Sequence, residues 1–192
     1  MLKGKEKHFG DGISEGATSI AIGIDQSLTG FALSFVNSEN PTEHITWVYK
    51  SPYNGVQRLA DIRLWMLSKI REHTQGKKVF DVAMEGTVLA SHSALVLGEL
   101  AALVKLSFWD AGKVTPLQIP PMTLKKYASG KGTSKKQEML LQIFKRWGIE
   151  FNDDNAADAY ALARLAAGFY IDATEQAIVA QVEDDKYRDT VQ

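Results

Sequence analysis

An apolar run, Ile20-Ala21-Ile22-Gly23-Ile24, closes on the carboxylate Asp25, and a polar turn through Ser27, Thr29 and Gly30 leads into a second run, Phe31-Ala32-Leu33. This order predicts two buried strands joined as a hairpin. His44 to Lys50 alternates apolar and polar residues through Ile45, Trp47 and Tyr49, which adds a third strand and makes a meander. From Val56 to His73 the apolar residues Leu59, Ile62, Leu67 and Ile70 recur at helical spacing with arginines and lysines between them, so an amphipathic helix follows, closed by Gly76. Val79 to Glu85 is a short apolar run that again ends on one acid.

The second half is mainly helical. Ser91 to Trp109 predicts a helix with a small-residue face, Val114 to Ile119 a short strand stopped by Pro120-Pro121, and Met122 to Ala128 a short helix. A glycine turn, Ser129 to Thr133, leads to a helix over Ser134 to Trp147, with Ser134 expected as its N-cap and Gly148 past its end. Asp153 or Asp154 is expected to cap a last strong helix, Asn155 to Phe169, whose Ala/Leu pattern suits close packing on a sheet. Residues 171–192 read as a weak peripheral helix and a frayed acidic tail, and residues 1–18 as a flexible arm. The intervening 19–170 form one α/β domain.

Composition changes this picture little: 192 residues, 45% hydrophobic and 23% charged, suit one buried core. The absence of cysteine excludes disulfides and thiolate metal sites. The most apolar stretch, Ala94 to Trp109, is interrupted by Glu99 and Lys105, so no membrane partner is expected, and a cytoplasmic location follows. Charge is more informative. The net charge is −1, yet residues 121–150 carry seven bases against two acids, and residues 151–192 carry nine acids against three bases. Such segregation suits a phosphate-facing patch beside an acidic site, although a solvated helix face produces the same count.

The candidate chemistry lies in three acids on different elements. Asp25 and Glu85 end buried strands, and Asp158 stands in the first turns of the last helix. An Asp at a strand end also orders a turn through its own backbone, the alternative role for Asp25. Three converging carboxylates need a cation between them, and hard oxygen ligands suit Mg²⁺, with Mn²⁺ able to substitute, two ions per site being expected for phosphodiester hydrolysis. The histidines, His8, His44, His73 and His92, have no ligand spacing, the tryptophans sit on apolar faces, and Ser27 and Thr29 have no partners for nucleophilic catalysis.

In order along the chain, Ile22-Gly23-Ile24-Asp25-x-Ser-Leu-Thr-Gly, Val82-Ala83-Met84-Glu85, Ser93-Ala94-Leu95-x-Leu97-Gly98, Pro121-x-x-Leu124-Lys125 with Gly130-x-Gly132 and Lys135-Lys136-Gln137, and Asn155-Ala156-Ala157-Asp158-Ala159-Tyr160 resemble the RuvC-type Holliday junction resolvases of the ribonuclease H-like superfamily. The resemblance implies a five-stranded mixed sheet flanked by helices, a homodimer, and paired symmetric nicks across a four-way DNA junction. It makes Asp25, Glu85 and Asp158 the metal-binding acids, Lys136 the catalytic lysine and Lys125 a second functional lysine. Lys126, Lys131 and Lys135 become backbone contacts.

Two positions depart from the bacterial pattern. Asn155 stands where those members often carry an acid or histidine; it can accept one metal bond but cannot act as a base. Asp154, at i, i+4 from Asp158, is the candidate replacement, with the rival role of N-cap. Behind Glu85 the loop lacks an aromatic wedge, leaving Val88 and Leu89 as apolar wedges. The small size and reduced wedge loop fit a phage-encoded member. The alternatives are a broader branched-DNA or flap nuclease and a non-catalytic junction-binding protein. The strand–Asp–turn also resembles the first phosphate loop of actin-like sugar kinases, but the chain lacks a second such loop and no nucleotide cofactor is expected.

Overall fold

A computed structural model describes residues 18–86 and 94–191. The expectations on the arm, on the start of the helix at Ser91 and on Val88, Leu89 and His92 lie outside the described residues. Three strands, β1 (Ser19–Asp25), β2 (Phe31–Asn37) and β3 (His44–Tyr49), form the expected antiparallel meander. Helix α1 (Gly55–Thr74) then crosses to β4 (Lys78–Glu85), which lies parallel to β1, and α2 (Ala94–Gly112) crosses to β5 (Leu117–Ile119), parallel to β4. The strand order is β3-β2-β1-β4-β5, a five-stranded mixed sheet. Helices α3 (Pro121–Ser129), α4 (Lys136–Trp147), α5 (Asp154–Ala166), α6 (Ala173–Glu183) and α7 (Asp185–Val191) complete the chain.

The period of two in β1 sorts its side chains by size. Ile20, Ile22 and Ile24 point to one face and join Ile62, Met66 and Ile70 of α1 and Leu100 and Val104 of α2 in a core of large residues. Ala21 points to the other face and packs, with Ala83 of β4, against Ala157, Ala161 and Leu165 of α5. Gly23 lies between Ala21 and Asp25 on that second face. A Cβ there would fall 2.0 Å from the Ala159 carbonyl oxygen and 2.3 Å from the Ala163 amide nitrogen, so helix backbone lies directly on strand backbone. The Ala-rich face of α5 is what permits this approach.

A buried polar cluster ties α5 to the helices around it. Arg164, 3% exposed, donates from Nη1 to the Tyr127 hydroxyl of α3 at 2.6 Å and to the Phe169 carbonyl at 3.1 Å, and its guanidinium stacks 4.5 Å from the Trp147 ring of α4. Glu175 of α6, fully buried, pairs with Arg164 at 3.4 Å and with Arg146 at 2.5 Å, and accepts from Trp147 Nε1 at 3.0 Å. Removing one member of such a cluster leaves a buried charge unpaired, at a cost of roughly 3–5 kcal/mol.

Several boundaries differ from the sequence reading. Ser134 does not cap α4: the helix starts at Lys136, the cap position Lys135 makes no side-chain bond, and Ser134 is buried in a 2.8 Å hydrogen bond with Ser129. The α5 cap is Asp153, whose Oδ1 accepts from the amides of Asn155 and Ala156, so Asp154 is not the cap. Strand β5 begins at Leu117 rather than Val114: its pairing with β4 starts at Ala83 and Leu117, directly after Pro116, which has no N–H to give a ladder. Residues 173–191 form two helices where one was expected, and α6 is held by the buried Glu175.

The contact at Gly23 sets a stability prediction. Gly23→Ala should destabilise the protein by about 3 kcal/mol or more, because α5 cannot retreat without opening the core. Gly98→Ala in α2, where nothing among the described residues lies within 4 Å of the new Cβ, should be neutral or stabilising by about 0.5–1 kcal/mol. Urea unfolding of the two variants checks both signs.

Candidate active site

Parallel pairing puts two acids side by side. Ile24 of β1 pairs with Met84 of β4, so Asp25 and Glu85 end adjacent strands at the same edge of the sheet. In open α/β sheets the carboxyl ends of parallel strands are where ligands bind. Gln26 fastens the two ends together, donating from Nε2 to the Glu85 carbonyl at 2.7 Å. Helix α5, seated on Gly23, brings Asp158 above them. A cleft of about 470 Å³ opens here, lined by Asp25, Glu85, Asp158, Asp154, Asn155, Lys125, Lys136 and Arg58.

The electrostatics of the cleft follow from burial and like charge. Asp25, 4% exposed, is held well above the ordinary carboxylate range by burial first, then by repulsion from Glu85 and Asp158, with Lys136 pulling the other way. Burial raises Glu85 as well, opposed by Lys125 and Lys136. Burial and Glu85 push Asp158 up to about 7, against the same two lysines. Glu85 thus acts on both aspartates, and Lys136 bears on all three acids. Among the described residues no group of three or more His, Asp or Glu side chains is drawn together into a ready-made metal cage. The donor set is nonetheless all carboxylate and amide oxygen, the chemistry that suits a hard divalent cation.

The other sequence candidates divide. Lys136, at the first position of α4, donates to Asp154 Oδ2, so the acid one turn before Asp158 is engaged with this lysine. Asn155 lines the same cleft, and its Nδ2 would lie 2.5 Å from a Cβ on Gly30, so the glycine of the first turn makes room for the amide. Lys125 faces the cleft, whereas Lys126, one residue on and about 100° around α3, does not line it. Lys131 and Lys135 are exposed outside the cleft, Lys131 at 4.0 Å from Glu138. Arg58 was missed. Read along the sequence it is one of several outward charges on α1; its only signal was its place one turn into a helix that starts where β3 ends.

Neither a protein-family model nor a curated protein matches the sequence. Solved structures do. The sheet order and helix placement define a ribonuclease H-like fold. Within it, the chain has the fold of RuvC: a Thermus thermophilus RuvC in complex with Holliday junction substrate superposes with a TM-score of 0.61 at 22% identity, covering 78% of this chain and 92% of that one. A second Thermus thermophilus RuvC structure gives 0.61 and 22%, covering 85% and 96%. No helix among the described residues is long and apolar enough to cross a membrane.

The raised carboxyls give a pH prediction for the cation-free protein. Asp158 titrates near 7 in the folded chain and near 4 when unfolded. The folded state therefore binds more protons across that window, and stability falls as pH rises from about 4 to about 7. Asp158→Asn should flatten this decline and raise stability at pH 8 by up to about 4 kcal/mol. Thermal unfolding in chelator at several pH values is the check, and an unchanged decline in Asp158→Asn contradicts it.

Proposed function

We propose that the chain is a divalent-metal-dependent endonuclease that resolves four-way DNA junctions as a homodimer, hydrolysing one phosphodiester per subunit. The observation that carries this reading is the convergence of Asp25, Glu85 and Asp158, each raised by burial, in a cleft shared with Lys125 and Lys136. Buried acids that repel one another favour a cation among them, and the RuvC fold, one example of which is in complex with Holliday junction substrate, supports branched DNA as the substrate.

Asp25, Glu85 and Asp158 would hold Mg²⁺ or Mn²⁺, with Asn155 offering a neutral oxygen beside them. Such an ion supplies an activated water and charge neutralisation at the leaving oxygen. Lys136 carries its positive charge to the phosphate as negative charge builds on the equatorial oxygens, the role of a preorganised cation beside phosphoryl chemistry. Asp154, paired with Lys136, would orient that ammonium within the cleft. Lys125 binds phosphate from the same wall. Lys126, Lys131 and Lys135 contact the DNA backbone beyond the cleft without reading sequence.

A homodimer is supported by the outer face of α2. Leu95, Leu106 and Trp109 recur on one side of that helix and are exposed, Leu95 at 87%, and α1 alongside exposes Leu64 at 67%. An apolar stripe of this kind on two packed helices suits a self-complementary interface. Two subunits supply two cleavage sites, one for each of two opposing strands.

A labelled four-way junction offered beside flaps and forks tests the reading. Wild type with Mg²⁺ should cut the junction as paired symmetric nicks and do nothing in chelator. Asp25→Asn and Asp158→Asn should each lose at least about a hundredfold in cleavage while junction binding survives. Full activity in both variants overturns the metal assignment. Preference for flaps selects the broader nuclease, and tight binding without cleavage in either metal selects a junction-binding protein.

A further inference from the structure

Arg58 is a cation in the cleft that none of the catalytic assignments uses. Strand β3 runs parallel to β1, since each is antiparallel to β2, so β3 delivers the chain to the same sheet edge that bears Asp25. Helix α1 begins there, at Gly55, and Arg58 is its fourth residue. Its guanidinium is fixed by two neutral acceptors in the preceding turn. Nε donates to the Tyr53 carbonyl at 2.7 Å, and Nη2 donates to Asn54 Oδ1 at 2.5 Å. Among the described residues it has no carboxylate partner within salt-bridge distance, so its charge is oriented but not neutralised. A guanidinium held in this way retains donors for an anion, and its rigid fork loses little freedom on binding one.

The fold places this charge across the strand ends from the lysines. Helix α1 packs on the large-residue face of the sheet with Ile22 and Ile24, whereas α3, α4 and α5 pack on the small-residue face with Ala21 and Ala83. Lys125 and Lys136 therefore rise from one wall and Arg58 from the other, with the Ser27–Gly30 turn between them, and all three line one cleft. The lysines also bear on the buried acids, and Arg58 does not. Its anion is accordingly not the group that reacts at the acids.

We propose that Arg58 binds a backbone phosphate of the cut strand that flanks the scissile one, clamping that strand from the wall opposite Lys125 and Lys136. The inference rests on the nuclease reading above. A single strand threaded between two cationic walls is held in register by its phosphates, and the acids then meet one phosphodiester. Arg58 is a binding residue in this scheme; it does not take part in bond breaking.

The test is the salt dependence of junction binding, measured in Ca²⁺ to suppress cleavage, followed by single-turnover cleavage in Mg²⁺. Arg58→Ala and Arg58→Gln should each reduce the slope of log affinity against log salt by about one and weaken binding roughly tenfold near 0.1 M salt. Arg58→Lys should restore the slope, because it returns one charge. Cleavage at saturating protein should fall far less in Arg58→Gln than in Lys136→Ala. Arg58→Gln with a wild-type slope overturns the clamp while leaving the nuclease reading intact, provided wild type still cuts the junction. A wild-type protein that neither binds nor cuts junctions overturns both.

Discussion

The backbone contact between β1 and α5 at Gly23 is the constraint on which the site depends. A side chain at this position would enter the Ala159 carbonyl, so the helix can lie on the strand only because glycine is there. The alternation of β1 does the rest: isoleucines fill the α1/α2 side while alanine, glycine and finally Asp25 face α5. A helix held that close necessarily carries Asp158 to the strand ends. The same period of two that builds the core therefore aims the first acid at the third.

Bringing acids together under a helix has an electrostatic cost that the surrounding elements offset only in part. The N-terminus of α5 offers its unpaired amides and the positive end of its dipole, though Asp153 takes two of those amides. Lys125 and Lys136 lower Glu85 and Asp158, yet burial still dominates and all three acids stay raised. The Arg164–Glu175 pair, buried between α3, α4, α5 and α6, fixes the helices that carry the lysines against the helix that carries Asp158. Acids and lysines are thus registered by one cluster outside the cleft, and the remaining imbalance is what a divalent cation would relieve.

Much of this was legible in the sequence, for physical reasons. Strands that end on a lone carboxylate advertise themselves because an acid is costly next to an apolar run, which is how Asp25 and Glu85 stand out. The Ala-rich run after Asn155 announces a helix that packs closely. What was not legible depends on the third dimension. Two acids in succession, Asp153 and Asp154, are equivalent candidates for a cap until the helix phase is known, and only then is one a cap and the other a partner of Lys136. Ser134 has the composition of a cap but is recruited by Ser129 across the glycine turn. Arg58 looks like any solvent-facing charge until β3 is seen to run parallel to β1. The two expected wedges, Val88 and Leu89, lie outside the described residues.

The convergence of the three acids is most directly measured by carboxyl-carbon NMR titration of Asp158, assigned by its loss in Asp158→Asn, with and without Mg²⁺. The expected result is a midpoint near 7 in the cation-free protein, moving down by more than a unit when Mg²⁺ is added. An ordinary aspartate midpoint near 4, unmoved by Mg²⁺, would contradict the convergence of Asp158 with Asp25 and Glu85.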